Sequence, residues 1–168
     1  MKLYNNLLVH SVQKDYIAQL GDPLFGVPSR PDTSVYGLSD ERRRYFADEL
    51  QPTKFDKKGL VATANTGVDL NAGAFFITLT NKPIESFYQK HTVFGEVVEG
   101  IDVLDNINKA YVNKENRPLQ NIRLKHTIVI DDPFENREAE FGVRLRYPER
   151  SPSPLKPKED VDLKNIDF

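Results

Sequence analysis

Histidine is the side chain best suited to proton transfer near neutral pH, and the sequence carries three, His10, His91 and His126. They lie far apart in the chain, and no two stand at the spacing of metal ligands. Cysteine is absent, which removes thiolate chemistry and any disulfide framework. The more informative residues are of another kind. Tyr16, Phe76 and Phe87 place aromatic surfaces in or near short β-prone runs, although an aromatic in a strand, taken alone, reads as core. Between two of those runs lies Asn65-Thr-Gly-Val-Asp-Leu-Asn-Ala-Gly73, a loop whose Asn and Gly residues tolerate positive φ. Such a loop presents backbone N–H and C=O groups to an extended ligand.

The elements that position these residues follow from the apolar pattern. Gly59 to Ala64 and Ala74 to Thr80 are runs of small, β-branched and aromatic residues bounded by turn formers, the signature of buried or half-buried strands. His91 to Val97 reads as a further strand, with Phe94 and Val97 available for packing. Upstream, Leu3 to Val12 reads as a strand from about Leu7, and Tyr16 to Gly21 as its hairpin partner, joined through Gln13-Lys-Asp15. Gly21-Asp-Pro23 is a turn, and Leu24 to Thr33 is Pro/Gly-rich loop. Ser39 to Leu50 reads equally well as a short helix capped by Ser39 or as irregular surface, and Pro52 ends it either way. Gly100 to Tyr111 is the clearest helix, with Ile101, Leu104, Ile107, Asn108 and Tyr111 on one mostly apolar face. Ile122 to Ile130 alternates as a final strand. Six strands and one clear helix predict a mainly β fold, a barrel or sandwich.

At 168 residues the chain has room for one domain with a core and a tail. A net charge of −2 gives no electrostatic case for nucleic-acid or membrane binding. No apolar run approaches the ~20 residues that span a bilayer, and the start lacks a signal-peptide pattern. Arg42-Arg-Arg44 reads as a solvated face before it reads as an RNA contact. After Asp131-Asp-Pro133 the composition turns charged and Pro-containing, which cannot bury enough apolar surface to offset its chain entropy. Residues 1–132 are therefore the expected domain and 133–168 an extension or linker. Within it Ser151-Pro and Ser153-Pro fit both an extended linker and proline-directed phosphorylation.

Taken together, Val9-His10, Tyr16-Ile-Ala-Gln-Leu-Gly-Asp22, Gly59 to Asn65 with Gly67, Phe75-Phe-Ile77 and His91-Thr-Val-Phe-Gly-Glu-Val97 with Glu99-Gly100 resemble the cyclophilin family of peptidyl-prolyl cis-trans isomerases. Order and spacing agree from about residue 3 to Ile130. Asp131-Asp-Pro-Phe134 and Arg150-Ser-Pro-Ser-Pro154 further resemble the nuclear cyclophilin-like proteins that carry a downstream RNA-recognition motif. The resemblance implies a cyclophilin-like antiparallel β-barrel with one or two helices. It also implies an N-terminally short one: the family has eight strands, and two of them with a helix precede the strand containing His10. An open edge would be a swapping or aggregation hazard.

The activity so implied is isomerisation of X–Pro peptide bonds, with proline-containing segments as partners and no metal or cofactor. A nuclear location, or otherwise a cytoplasmic one, and spliceosomal or RNA-processing partners are implied by the same resemblance. Carried over by position, Tyr16, Phe76 and Phe87 would form the ring pocket, lined by Ile17 and His91. Gln19 would bond the substrate backbone, Asn65 would offer main-chain groups, and Ala64 would shape the neighbouring pocket. His10 and His91 then read as structural or pocket-wall residues, since rotation about an amide needs no proton transfer. Three departures stand out. Ser11 follows His10 where the family has the catalytic Arg, Ala74 stands where Gln is common, and the Trp-equivalent position falls near Ser86. These predict weak or lost activity and weak cyclosporin binding. The alternative is a non-catalytic module that binds proline-containing peptides or scaffolds an RNA-processing complex.

Overall fold

The computed structural model describes residues 4–21 and 45–131. The Asp22-Pro23 turn, the Leu24 to Thr33 loop, Ser39 to Arg44 and the extension 133–168 lie outside them. Residues Tyr4–Thr127 form one compact unit; Ile128 to Asp131 belong to a second unit and are exposed. No helix among the described residues is long and apolar enough to cross a membrane.

Among the described residues the fold is mainly β, with antiparallel strands and one α-helix. In chain order the elements are β1 (Leu7–Leu8), β2 (Ser11–Gln13), β3 (Ile17–Leu20), β4 (Leu60–Thr63), β5 (Phe75–Thr78), a 3-10 turn (Glu85–Phe87), β6 (Val93–Glu96), α1 (Ile101–Asn108) and β7 (Arg123–Leu124). Five strands form one sheet in the order β2-β3-β5-β4-β6, and β1 pairs with β7 in a second. The run read as one strand from Leu7 to Val12 thus divides. Its two halves serve different sheets, with the Val9 N–H on the Ile122 carbonyl and the His10 N–H on the Gln19 carbonyl.

The register of the large sheet decides which side chains reach the site. Ser11 pairs with Gln19, Gln19 with Phe76, Phe76 with Ala62, and Ala62 with Val93, so one row crosses all five strands. Directly paired residues on antiparallel strands project to the same face. Ser11, Gln19 and Phe76 therefore share a face, while Val12, Ala18 and Ile77 share the other. Each face carries its own core. Ile17, Phe55, Leu60, Ala62, Phe76 and Ile84 are buried together on the first. Val9, Val12, Ala18, Leu20, Leu79 and Leu104 are buried on the second, with α1 contributing Leu104.

Two polar contacts fix α1 against the sheet. Asn108 accepts the Asp15 N–H at 2.7 Å and donates to the Asp15 carboxylate at 2.8 Å, while the Lys58 ammonium meets Asp105. Asp15 sits at φ 55 in the β2–β3 turn, a conformation Asp tolerates. Gly21, at φ 104, lies so close to β5 that an added Cβ would meet the Phe75 ring and come within 2.7 Å of the Gly73 carbonyl oxygen. Only glycine fits there.

Several expectations need correction. The helix ends at Asn108, so Tyr111 lies beyond it and is exposed, and the apolar face narrows to Leu104 and Ile107. The final strand stops at Leu124, because the Thr127 N–H and hydroxyl bond the Asn5 side chain instead of a strand partner. His126 is consequently exposed and off the strand. Of the two readings left open for Ser39 to Leu50, the described part, Tyr45 to Leu50, takes the irregular one, with Phe46 bridging to Asn71. Phe94 is an extra residue at a register shift between Val61 and Ala62; it is largely exposed but packs edge-to-face on Phe75 at 6.1 Å.

Candidate functional site

Four rings converge on the face that carries Ser11, Gln19 and Phe76. Phe87 is their hub, 5.1 Å from Tyr16, 5.0 Å from Phe76 and 4.9 Å from His91, centroid to centroid. Phe76 and His91 meet edge-to-face at 5.2 Å. Such offset and edge contacts contribute about 0.5–1.5 kcal/mol per pair beyond their buried area. Each ring arrives from a different stretch: Tyr16 from the turn just before β3, Phe76 from β5, Phe87 from the 3-10 turn and His91 from the approach to β6. Ile17 is buried beneath them. A ring missing from the sequence reading, Phe55, closes the base at 5.5 Å from Phe87 and 6.1 Å from Phe76. It stands in the polar stretch Thr53 to Lys58, where no periodicity marks it.

The Tyr16 hydroxyl lies 3.4 Å from the Ser86 hydroxyl, so the two polar tips meet at the rim. Gln19 and Ser11, cross-strand partners, are both half-buried. Ala64 packs at the edge of the aromatic cluster, and its N–H bonds the Ala74 carbonyl at 3.0 Å, closing the base of the Asn65–Gly73 loop. Ala74 itself is not part of the ring cluster. It lines a separate cavity of about 390 Å³ with Phe46, Phe75 and Phe94.

The loop is held by a carboxylate that the sequence reading left in an ambiguous segment. One oxygen of Asp48 accepts the side-chain amides of Asn71 at 2.7 Å and Asn65 at 3.2 Å. The other accepts the Asp69 N–H at 2.9 Å, and the Asp48 N–H returns a bond to the Asp69 carboxylate at 2.8 Å. Asn71 is fully buried. Asn65 also donates to the Lys90 carbonyl at 2.7 Å. Desolvation opposes the charge on Asp48, yet the bonds from Asp69, Asn71 and Asn65 win and hold its carboxyl below the usual carboxylate range. An Asp followed by an Asn/Asp-rich loop about twenty residues on was the available signal, but it is not specific.

Both site-region histidines are neutral at pH 7. Burial lowers His91, outweighing the Thr63 carbonyl and Asp48, which favour its charged form. Its Nδ1 lies 3.0 Å from the Thr63 carbonyl oxygen, so Nδ1 carries the hydrogen and Nε2 the lone pair. Burial pushes His10 from 6.5 down to about 4. These shifts set a pH dependence. Between about pH 6.5 and 4 the unfolded chain takes up a proton on His10 that the folded state excludes, so stability is full above 6.5 and falls as pH drops toward 4. Urea unfolding at pH 7.5 and pH 5 should show a lower free energy at pH 5, and His10→Gln should show a smaller difference. An equal difference in the variant would remove His10 as its source.

Comparison with known proteins agrees with this geometry. The family model described as cyclophilin type peptidyl-prolyl cis-trans isomerase/CLD matches residues 1–129. Peptidyl-prolyl cis-trans isomerase CYP59 of Arabidopsis thaliana is 45% identical over 137 residues, covering 81% of this chain and 27% of that protein. Peptidyl-prolyl cis-trans isomerase-like 4 of Homo sapiens is 38% identical over 162 residues, covering 95% of this chain and 31% of that protein. The chain thus spans about a third or less of the length of these two relatives. A crystal structure of a cyclophilin type peptidyl-prolyl cis-trans isomerase from Cryptosporidium parvum superposes with a TM-score of 0.65 at 28% identity, covering 77% of this chain and 76% of that one. The same enzyme in the presence of the dipeptide Ala-Pro superposes equally well, at 26% identity, covering 77% and 78%.

Proposed function

Because the chain belongs to the cyclophilin-type peptidyl-prolyl cis-trans isomerase family, we propose that it binds X–Pro segments of extended peptides and isomerises them weakly. Rotation about an X–Pro bond is slow because amide resonance gives the C–N bond double-bond character, with a barrier of about 18–20 kcal/mol. A catalyst lowers it by gripping the proline ring, holding the flanking backbone and favouring the twisted amide. The observation that carries this reading is the four-ring cluster of Tyr16, Phe76, Phe87 and His91 on the same sheet face as Gln19. Pyrrolidine is apolar and flat enough to lie against such rings. Gln19 offers an amide to the peptide backbone, and Ala64 and Asn65 offer main-chain groups beside it.

Ser11 supplies one short, uncharged hydroxyl where the family uses a guanidinium, so twisted-amide stabilisation is the weak part of the site. Ser86, half of a rim contact with Tyr16, leaves no indole for cyclosporin, and binding of that ligand should be weak. Action in the nucleus beside RNA-processing proteins is part of the same proposal, and what supports it is the sequence resemblance to the nuclear cyclophilin-like proteins. Ser11 and Ala74 also favour a second reading, a module that binds proline-containing peptides without turning them over.

NMR exchange spectroscopy on an Ala-Pro peptide separates the two. Exchange between cis and trans signals at substoichiometric protein is the expected result. Saturable shift changes without exchange would favour the binding module, and no interaction at all would overturn both.

A further inference from the structure

We propose that Asp48 is a positioning residue for the peptide site, acting through Asn65 and not by touching the substrate. This rests on the isomerase reading above and adds to it the group that sets the distance between the two walls of the peptide groove. One wall is the loop 65–73, whose Asn65 offers main-chain groups. The other is the segment Lys90-His91, which carries the edge of the ring pocket. At their inner ends both are joined through β4, where the Thr63 N–H bonds the Thr92 carbonyl and the Thr63 carbonyl meets His91 Nδ1. Asn65 and Lys90 themselves lie outside the ladders of β4, β5 and β6.

What ties them is a relay of side chains. Asn65 Nδ2 donates both to the Asp48 carboxylate and to the Lys90 carbonyl, at 3.2 and 2.7 Å. Asp48 is in turn fixed by Asn71, fully buried, and by the Asp69 N–H. Asn71 also donates to the Phe46 carbonyl, so it anchors the irregular segment from which Asp48 projects. With its side-chain amide spent on Asp48 and Lys90, Asn65 contributes to a ligand through its main chain alone. The orientation of that main chain is then a consequence of the relay.

A carboxylate is the group this arrangement requires. Its two oxygens face three donors, two amides and one backbone N–H. An amide of the same shape turns one acceptor into a donor, so in Asp48→Asn at least one N–H faces another N–H. The substitution changes almost no volume, which separates the positioning effect from a packing effect.

The test measures Kd and the isomerisation rate for an Ala-Pro peptide by NMR, together with urea unfolding, in wild type, Asp48→Asn, Asn65→Ala and the double variant. Misplacing the loop should weaken peptide binding by roughly ten- to a hundredfold in each single variant. Because both act through the same link, the double variant should bind no worse than the weaker single one. Its loss in stability should fall short of the sum of the single losses, since the two residues share a hydrogen bond. Rescue points the same way: Asp48→Glu, which keeps both acceptor oxygens, should bind more tightly than Asp48→Asn. Wild-type-like binding by a folded Asp48→Asn, or additive losses in the double variant, overturns the positioning role alone. A wild type that binds no peptide overturns the isomerase reading and this role with it. If Asp48→Asn does not fold, Asn65→Ala decides alone, since it leaves Asn71 and Asp69 on the carboxylate, and unchanged binding there refutes the relay.

Discussion

Ser11→Arg should raise kcat/KM for an X–Pro peptide by up to about 10²–10³-fold, the range lost when a single preorganised transition-state donor is removed from an enzyme. The gain should appear in kcat, because the added interaction forms only as the amide twists and its nitrogen lone pair localises. The fold already holds the position open. Ser11 is half-buried in β2 and paired with Gln19, which is paired with Phe76 in the ring cluster. An arginine there would project from the same face as the rings. It would keep its charged fork at the open rim while its stem covered apolar surface. Stability should change little, since Ser11 anchors nothing in the core. Exchange spectroscopy with both proteins on one peptide makes the comparison directly. Equal rates at equal peptide affinity would mean that the missing donor is not what limits this site.

The part of the site that lies on strands was legible because strand side chains alternate, so one correct register places a whole row. Gln19 and Phe76, directly paired on β3 and β5, share a face by register alone, whereas Tyr16 precedes β3 and joins them through its contact with Phe87. Phe87 was less secure in the sequence, in a turn with no periodicity, yet it is the ring that touches all the others. Its place is set by tertiary packing on Phe55 and by the backbone bond from the Ile84 N–H to the Phe55 carbonyl, at 2.8 Å. Neither contact leaves a local trace.

The same reasoning explains the misreadings. Asp48 belongs to an irregular segment whose backbone partner is Asn71, and its carboxylate is assembled with groups 17 to 23 residues away. Local propensity cannot detect such a hub. Alternation in Ile122 to Ile130 suggested a long strand, but the ladder holds only Leu7 with Leu124 and Leu8 with Arg123, and at Thr127 the chain bonds the Asn5 side chain instead. The helix was overextended for a similar reason. Tyr111 continues the apolar spacing, but the chain leaves the helix at Lys109.

Phe76→Ala and Phe87→Ala should separate the pocket from the core that supports it. Phe76 is 2% exposed on a central strand of the five-stranded sheet, in contact with Phe55, Phe87 and His91. Truncation leaves a cavity that its neighbours on β3 and β4 cannot close without breaking ladder bonds, and about 3–5 kcal/mol of stability should be lost. Against a typical total of about 5–15 kcal/mol, that loss consumes a large share of what holds the domain folded. Phe87 is half-buried on a three-residue turn that can relax inward, so its truncation should cost markedly less stability. Peptide binding should nevertheless fall in both, since each removes a wall of the ring pocket. Urea unfolding beside an Ala-Pro titration reads the two effects separately. The informative case is Phe87→Ala: a folded protein that no longer binds assigns the ring to the ligand. Undiminished binding would return Phe87 to the core, the place an aromatic in this chain has by default.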